Sequence, residues 1–121
     1  MSYKWLILIL LSSILTCCSL FSDNKAIYEG FYAAGFEINS FEPCNTNERW
    51  WIVPGNKKAV DQLLEGYFTI IEQQPVRVYV RLLGRPSKKG KYGHLGEYER
   101  EFELDAVLEL RPAQEKDCAG K

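Results

Sequence analysis

Val76-Arg77-Val78-Tyr79-Val80-Arg81-Leu82-Leu83 decides the fold class. Its period of two sends Val76, Val78, Val80 and Leu82 to one face of a strand and Arg77, Tyr79, Arg81 and Leu83 to the other. A second run reads the same way. Phe102, Leu104, Ala106, Leu108 and Leu110 alternate with Glu101, Glu103, Asp105, Val107 and Glu109. Both are half-buried strands, and their outer faces carry opposite charge. Paired antiparallel, Arg77 and Arg81 would meet the acidic row, each pair adding a few tenths of a kcal/mol and helping to set the register.

Between the two runs lies the stretch from Gly84 to Tyr98. It holds four glycines, basic Arg85, Lys88, Lys89 and Lys91, aromatic Tyr92 and Tyr98, and His94. Lysines and tyrosines spaced by glycines suit an anion or a stacked ring. The blander reading is a solvated hairpin loop in which Tyr92 and Leu95 cap the end of a barrel. Candidate binding residues are therefore Lys88, Lys89, Lys91, Tyr92 and His94, with an outward Trp51 beside them.

Upstream, Val60, Leu63, Leu64, Tyr67, Phe68 and Ile71 recur at steps of three and four, which makes one apolar helix face. Gly66 weakens that helix and Pro75 ends it. Trp50 and Trp51 sit on a short strand from Arg49 to Val53, one expected inward and one outward. Residues 27–41 carry aromatics interrupted by Gly30 and Gly35. They read as one long strand that bends at its glycines. The expected fold is mainly β with one helix, an α+β chain forming a small, partly open barrel.

The chain has 121 residues, formal net charge −1 and 46% hydrophobic residues. That supports one domain and gives no general attraction to nucleic acid, which is not an expected partner. His94 is the only histidine, and neither a Cys-x-x-Cys nor a nucleophile motif occurs. No catalytic residue, metal site or cofactor is expected. His94 with Glu97 and Glu99 is a weak candidate for acid–base or metal chemistry, and a structural hydrogen bond is the preferred role for His94.

Residues 1–16 have the three parts of an export signal: a short basic start with Lys4, an apolar run from Trp5 to Leu15, and a small-residue end. The run is shorter than the roughly 20 residues needed to span a membrane. Leu15-Thr16-Cys17-Cys18 resembles the lipobox of bacterial lipoproteins. The resemblance implies cleavage after residue 17 and acylation of Cys18, with Cys17 the alternative acceptor. It further implies a lipid anchor in the cell envelope, and Ser19 after the acceptor implies the outer membrane, facing the periplasm. The domains expected are a signal peptide over 1–17, a lipidated tether over 18–26, a folded domain over 27–112 and a tail over 113–121. Cys44 and Cys118 remain as an even pair. In an oxidising compartment they can form a disulfide, and two free thiols are the alternative.

Two stretches carry a wider resemblance. One runs from Gly35-Phe36-Glu37 through Phe41-Glu42-Pro43-Cys44 to Trp50-Trp51. The other runs from Tyr79-Val80-Arg81 through Gly90-Lys91-Tyr92-Gly93-His94-Leu95-Gly96 to Val107-Leu108-Glu109. They resemble small OB-like envelope proteins, distantly similar to the C-terminal OB domain of NlpE-type outer-membrane lipoproteins. The N-terminal domain of that type, with its Cys-x-x-Cys, is missing, and only two strands are evident before the helix where an OB pattern has three. The resemblance implies a non-catalytic module that is structural or contacts a protein partner in the envelope. The alternative is an OB module that binds a sugar, an anion or an oligonucleotide through the basic loop.

Overall fold

The computed structural model describes residues 24–119. The expected signal segment and both candidate acylation sites, Cys17 and Cys18, lie outside them. The described chain is mainly β with one helix. Five strands, β1 (Ala26–Gly35), β2 (Ile38–Pro43), β3 (Trp50–Pro54), β4 (Val78–Pro86) and β5 (Arg100–Pro112), close a barrel in the order β1-β2-β3-β5-β4. The helix α1 (Lys57–Gln73) joins β3 to β4. Neighbours pair antiparallel except β3 with β5, which run parallel. Pairing goes the whole way round, so the partial opening expected from the sequence is not seen.

The first part of the chain differs from its expected form. Residues 27–41 are not one bent strand but the hairpin β1–β2, turning at Phe36 and Glu37, with Gly35 opposite Ile38. Glu37 takes the left-handed conformation at φ 60°. Tight hairpin turns usually place Gly or Asn at such a position. With Glu there, the sequence carried no turn signal. The hairpin supplies the third strand before the helix.

Gly30 is where β1 needs a glycine. A Cβ there would lie 2.1 Å from the carbonyl oxygen of Glu42. Strands β4 and β5 pair as their charges suggest at Arg81, which faces Glu109 at 3.7 Å. Strand β4 also runs on to Pro86, into the stretch expected to be loop, and there Arg85 faces Glu103 at 3.1 Å. Arg77 instead meets Glu42 of β2 at 3.4 Å, because it precedes the first residue of β4. The alternation expected along β5 breaks after Leu104 and resumes at Leu110. Gly84 pairs with Leu104 but Leu83 with Ala106, and Leu82 pairs with Val107 but Arg81 with Glu109, which leaves Asp105 and Leu108 as extra, bulged residues. Each bulge reverses which side chains face inward, so the second restores what the first inverted. Val107 and Leu110 pack on the core, while Leu108 is exposed.

Helix α1 starts at Asn56, whose side chain accepts a hydrogen bond from Lys58 N, a common way to satisfy the free amides of a first turn. It ends at Gln74, immediately before Pro75. Its inner face is built on Ala59 and Leu63, with Val60, Leu64, Tyr67, Ile70 and Ile71 around them. Phe68, expected on that face, is exposed. Gly66 lets Leu110 come close: a Cβ there would sit 1.9 Å from Leu110 Cδ2. Inside the barrel, Phe41, Trp50 and Phe102 pack ring against ring at 5.4 to 5.9 Å, with Tyr28 edge-on to Trp50 and Phe102. Trp50 is inward and Trp51 half-buried, as alternation required.

The tail over 113–119 is fastened in two places. Cys118 forms a disulfide with Cys44, in the turn after β2. Asp117 accepts two hydrogen bonds from the Arg111 guanidinium, at 2.7 and 2.9 Å, and a third from Gln114 N at 2.6 Å. The Arg111 bonds, followed by the backbone bond, hold the Asp117 carboxyl below its usual range, at about 2. Arg111 also lies over the Tyr79 ring at 4.2 Å.

Candidate functional site

The β4–β5 connection is a second, smaller hairpin. Tyr92 and Tyr98 exchange backbone hydrogen bonds at 2.9 and 3.1 Å, and Gly90 N donates to Glu99 O. Ser87 anchors its base. The Ser87 Oγ donates to Lys88 O and accepts from Glu101 N, while Arg100 donates to Ser87 O at 2.7 Å. The loop then folds onto β3. Tyr98 is buried and stands edge-on to Trp51 with ring centres 5.0 Å apart, and the Arg49 guanidinium covers the Tyr98 ring at 5.0 Å. Gly93, at φ 66°, crosses Trp51 so closely that a Cβ would lie 2.6 Å from that ring. A side chain there would lift the loop.

This packing redistributes the expected site. Trp51 is half-buried beneath Gly93 and beside Tyr98, so its ring is part of the loop's seat. Tyr92 donates its hydroxyl to Lys88 O. Lys89 meets Glu48 at 3.7 Å. Lys88 and Lys91 are exposed, with no ion pair among the described residues. Leu95 caps nothing: it is 78% exposed. Tyr98, a loop aromatic with no role expected from the sequence, covers Trp51 instead, because the Tyr92–Tyr98 pairing turns it toward β3.

His94 does not gather Glu97 and Glu99. Its Nε2 lies 3.0 Å from Glu37 Oε2 on the tip of the β1–β2 hairpin. Glu97 meets Arg49 instead, at 3.8 Å, and Glu99 accepts from Arg49 N at 2.7 Å. No group of three or more acidic, Cys or His side chains among the described residues is placed to hold a metal. The Glu37–His94 contact ties together two tips that each carry an exposed apolar side chain: Phe36, 89% exposed, next to Glu37, and Leu95 next to His94. Ile38, also exposed, completes the patch. Leu95 is itself left-handed, at φ 57°. Non-glycine residues in that conformation carry strain of about 1–2 kcal/mol each, and such strain tends to collect where function constrains the chain.

No family model, curated protein or solved structure matches the chain.

The site thus consists of two tied tips, three exposed apolar side chains and a lysine flank.

Proposed function

We propose that this chain is a lipid-anchored protein of the bacterial envelope whose barrel is an OB-like, non-catalytic protein-interaction module. The observation that carries the reading is the Glu37–His94 contact, which holds Phe36 and Leu95 out into solvent on two joined tips. Large apolar side chains so fully exposed on a braced scaffold are a usual sign of a protein-binding surface. Lys88 and Lys91 give the same loop a basic flank, so the expected partner offers an apolar pocket with an acidic rim.

Three strands, a helix and two strands, with β3 and β5 parallel, support the OB-like assignment. The third strand before the helix removes one difference from the NlpE-type C-terminal domain, and we keep that kinship as part of the proposal. In such barrels the β1–β2 and β4–β5 loops are the usual binding elements, and here these two loops carry the patch. Covered Trp51 and tethered Tyr92 offer little to a stacked sugar or base, which favours a protein partner over a small ligand at this loop.

Geometry also favours a partner away from the anchor. The proposed tether enters at Ala26, the first residue of β1, and Phe36 follows the last. At about 3.3 Å per residue, the ten residues of β1 place the patch up to about 30 Å from the tether. Acylation is tested with a clickable fatty acid followed by membrane fractionation. Cys18→Ala loses label and membrane retention if Cys18 is the acceptor. Undiminished label in that variant moves the site to Cys17, and absence of label in the parent removes the anchor. Site-specific photo-cross-linking from the loop tip at position 95 tests the interaction.

A further inference from the structure

A cleft of about 520 Å³ opens between the C-terminal part of α1, the α1–β4 connection and the β1–β2 hairpin. Its walls include Phe31, Tyr32, Tyr67, Ile71, Val76 and Val78, and Ser40, Glu42 and Arg77 supply the polar groups. We propose that it binds a small amphiphile with one apolar chain and a terminal carboxylate, the chemistry of a fatty acid. The inference is independent of the protein-interaction reading, since it uses none of the loop residues.

Three observations support it. The size and the mix of aromatic and aliphatic walls with few polar groups are those of small-molecule sites. Ser40 is only 5% exposed and its Oγ is buried with no hydrogen-bond partner, an arrangement that proteins generally avoid. The Oγ itself has almost no accessible surface, so a ligand oxygen reaches it only when the cleft widens on binding. Arg77 supplies the cation. Its guanidinium lies 3.7 Å from the centre of the Phe31 ring and 3.4 Å from Glu42, with both charged side chains largely in solvent. Such an exposed pair is weak. Arg77 can exchange Glu42 for a ligand carboxylate, which its planar fork grips with two parallel hydrogen bonds. The chain of the ligand then runs along the aromatic wall toward Ile71 and Val76.

The test uses the full chain in native membranes and a dodecanoic acid probe carrying a diazirine and an alkyne. Light should attach the probe to peptides that line the cleft, and excess dodecanoate should suppress the adduct. Methyl dodecanoate, which lacks the charge, should compete about tenfold less well, the effect of losing one good charge-assisted contact. Arg77→Gln and Ser40→Ala should each weaken labelling, and Ala33→Trp, which fills the cleft from its wall, should abolish it. Near-UV circular dichroism confirms that each variant is folded. Adducts that dodecanoate does not suppress, or that persist in folded Ala33→Trp protein, would overturn the proposal. Equal competition by the methyl ester would overturn the assignment of the carboxylate to Arg77.

Discussion

Glu37 Oε2 and His94 Nε2 lie 3.0 Å apart, and this contact alone among the described ion pairs joins the tips of the β1–β2 and β4–β5 hairpins. Both side chains are partly exposed, so the interaction itself is modest. A double-mutant cycle with Glu37→Gln and His94→Ala should give a coupling of about 0.2–1 kcal/mol in urea unfolding. Its larger effect should be on order. In His94→Ala, the amides of residues 93–97 should broaden or shift in NMR spectra while those of β5 stay in place. Unchanged loop resonances would mean that the tips hold their positions without this contact.

The Cys44–Cys118 disulfide closes a loop with a sequence separation of 74. Chain-entropy reasoning assigns such a closure about 4 kcal/mol, acting mainly on the unfolded state. Cys118→Ala, or reduction of the parent, should therefore lower stability by about 2–4 kcal/mol while the barrel signature in far-UV circular dichroism persists. A second variant, Cys44→Ala/Cys118→Ala, should be no less stable than either single one. Stability that does not respond to reductant would contradict this account.

Asp117 gives the tail a pH dependence with a definite sign. Its folded pKa is about 2, against an ordinary 3.8, chiefly because Arg111 hydrogen-bonds to it. A depressed carboxylate contributes its full stability above the ordinary value and loses it as pH falls through the folded value. The strap over residues 113–118 should thus be intact above about pH 4 and loosen toward pH 2. The Gln114 amide, which donates to Asp117, reports the event directly by NMR. Arg111→Gln should move its titration midpoint up toward the ordinary carboxylate range. A midpoint that stays near 2 would assign the shift to something other than Arg111.

Much of the architecture is legible in the sequence, because the period of two in β4 and the first half of β5, the helix face on Leu63 and Tyr67, and the paired tryptophans are local patterns. What escaped was set by long-range contact or by unusual turn chemistry. The β1–β2 turn uses Glu37 where Gly or Asn would have announced it. Leu108 reads as a core residue until two bulges, opposite Leu83 and Gly84 and opposite Arg81 and Leu82, shift the count. The loop's lysines, its tyrosines and His94 stood out as a group, yet their roles depended on Glu37, Glu48 and Trp51, all distant in sequence. Phe36, the most exposed large apolar side chain among those described, gave no signal of its own, since one aromatic among many in residues 27–41 looks like core.

Gly84 tests the packing of β4 on β5. A Cβ there would stand 2.3 Å from Glu103 O and 2.7 Å from the Phe102 ring. Both neighbours are fixed, one by the backbone and the other by the core. Gly84→Ala should cost about 1–3 kcal/mol, the range for overpacking. Thermal melts would show it, and an unchanged midpoint would mean that the strands separate more easily than their pairing suggests.

The proposal that the tied tips are a protein-binding surface is tested most directly by placing a photo-cross-linking amino acid at position 95 in the otherwise intact chain and illuminating whole cells. The account predicts a discrete adduct, of one size, that is lost when Phe36→Ser is added and weakened by Lys88→Ala/Lys91→Ala. A cross-linker placed on the outer face of α1, at Asp61, should not give that adduct. Leu95→Asn is the control for folding. Asn tolerates the left-handed conformation, so this variant should melt no lower than the parent yet fail to compete for the partner. If the same adduct arises from position 61, or survives Phe36→Ser in folded protein, the joined tips are not the binding surface and the central claim is wrong.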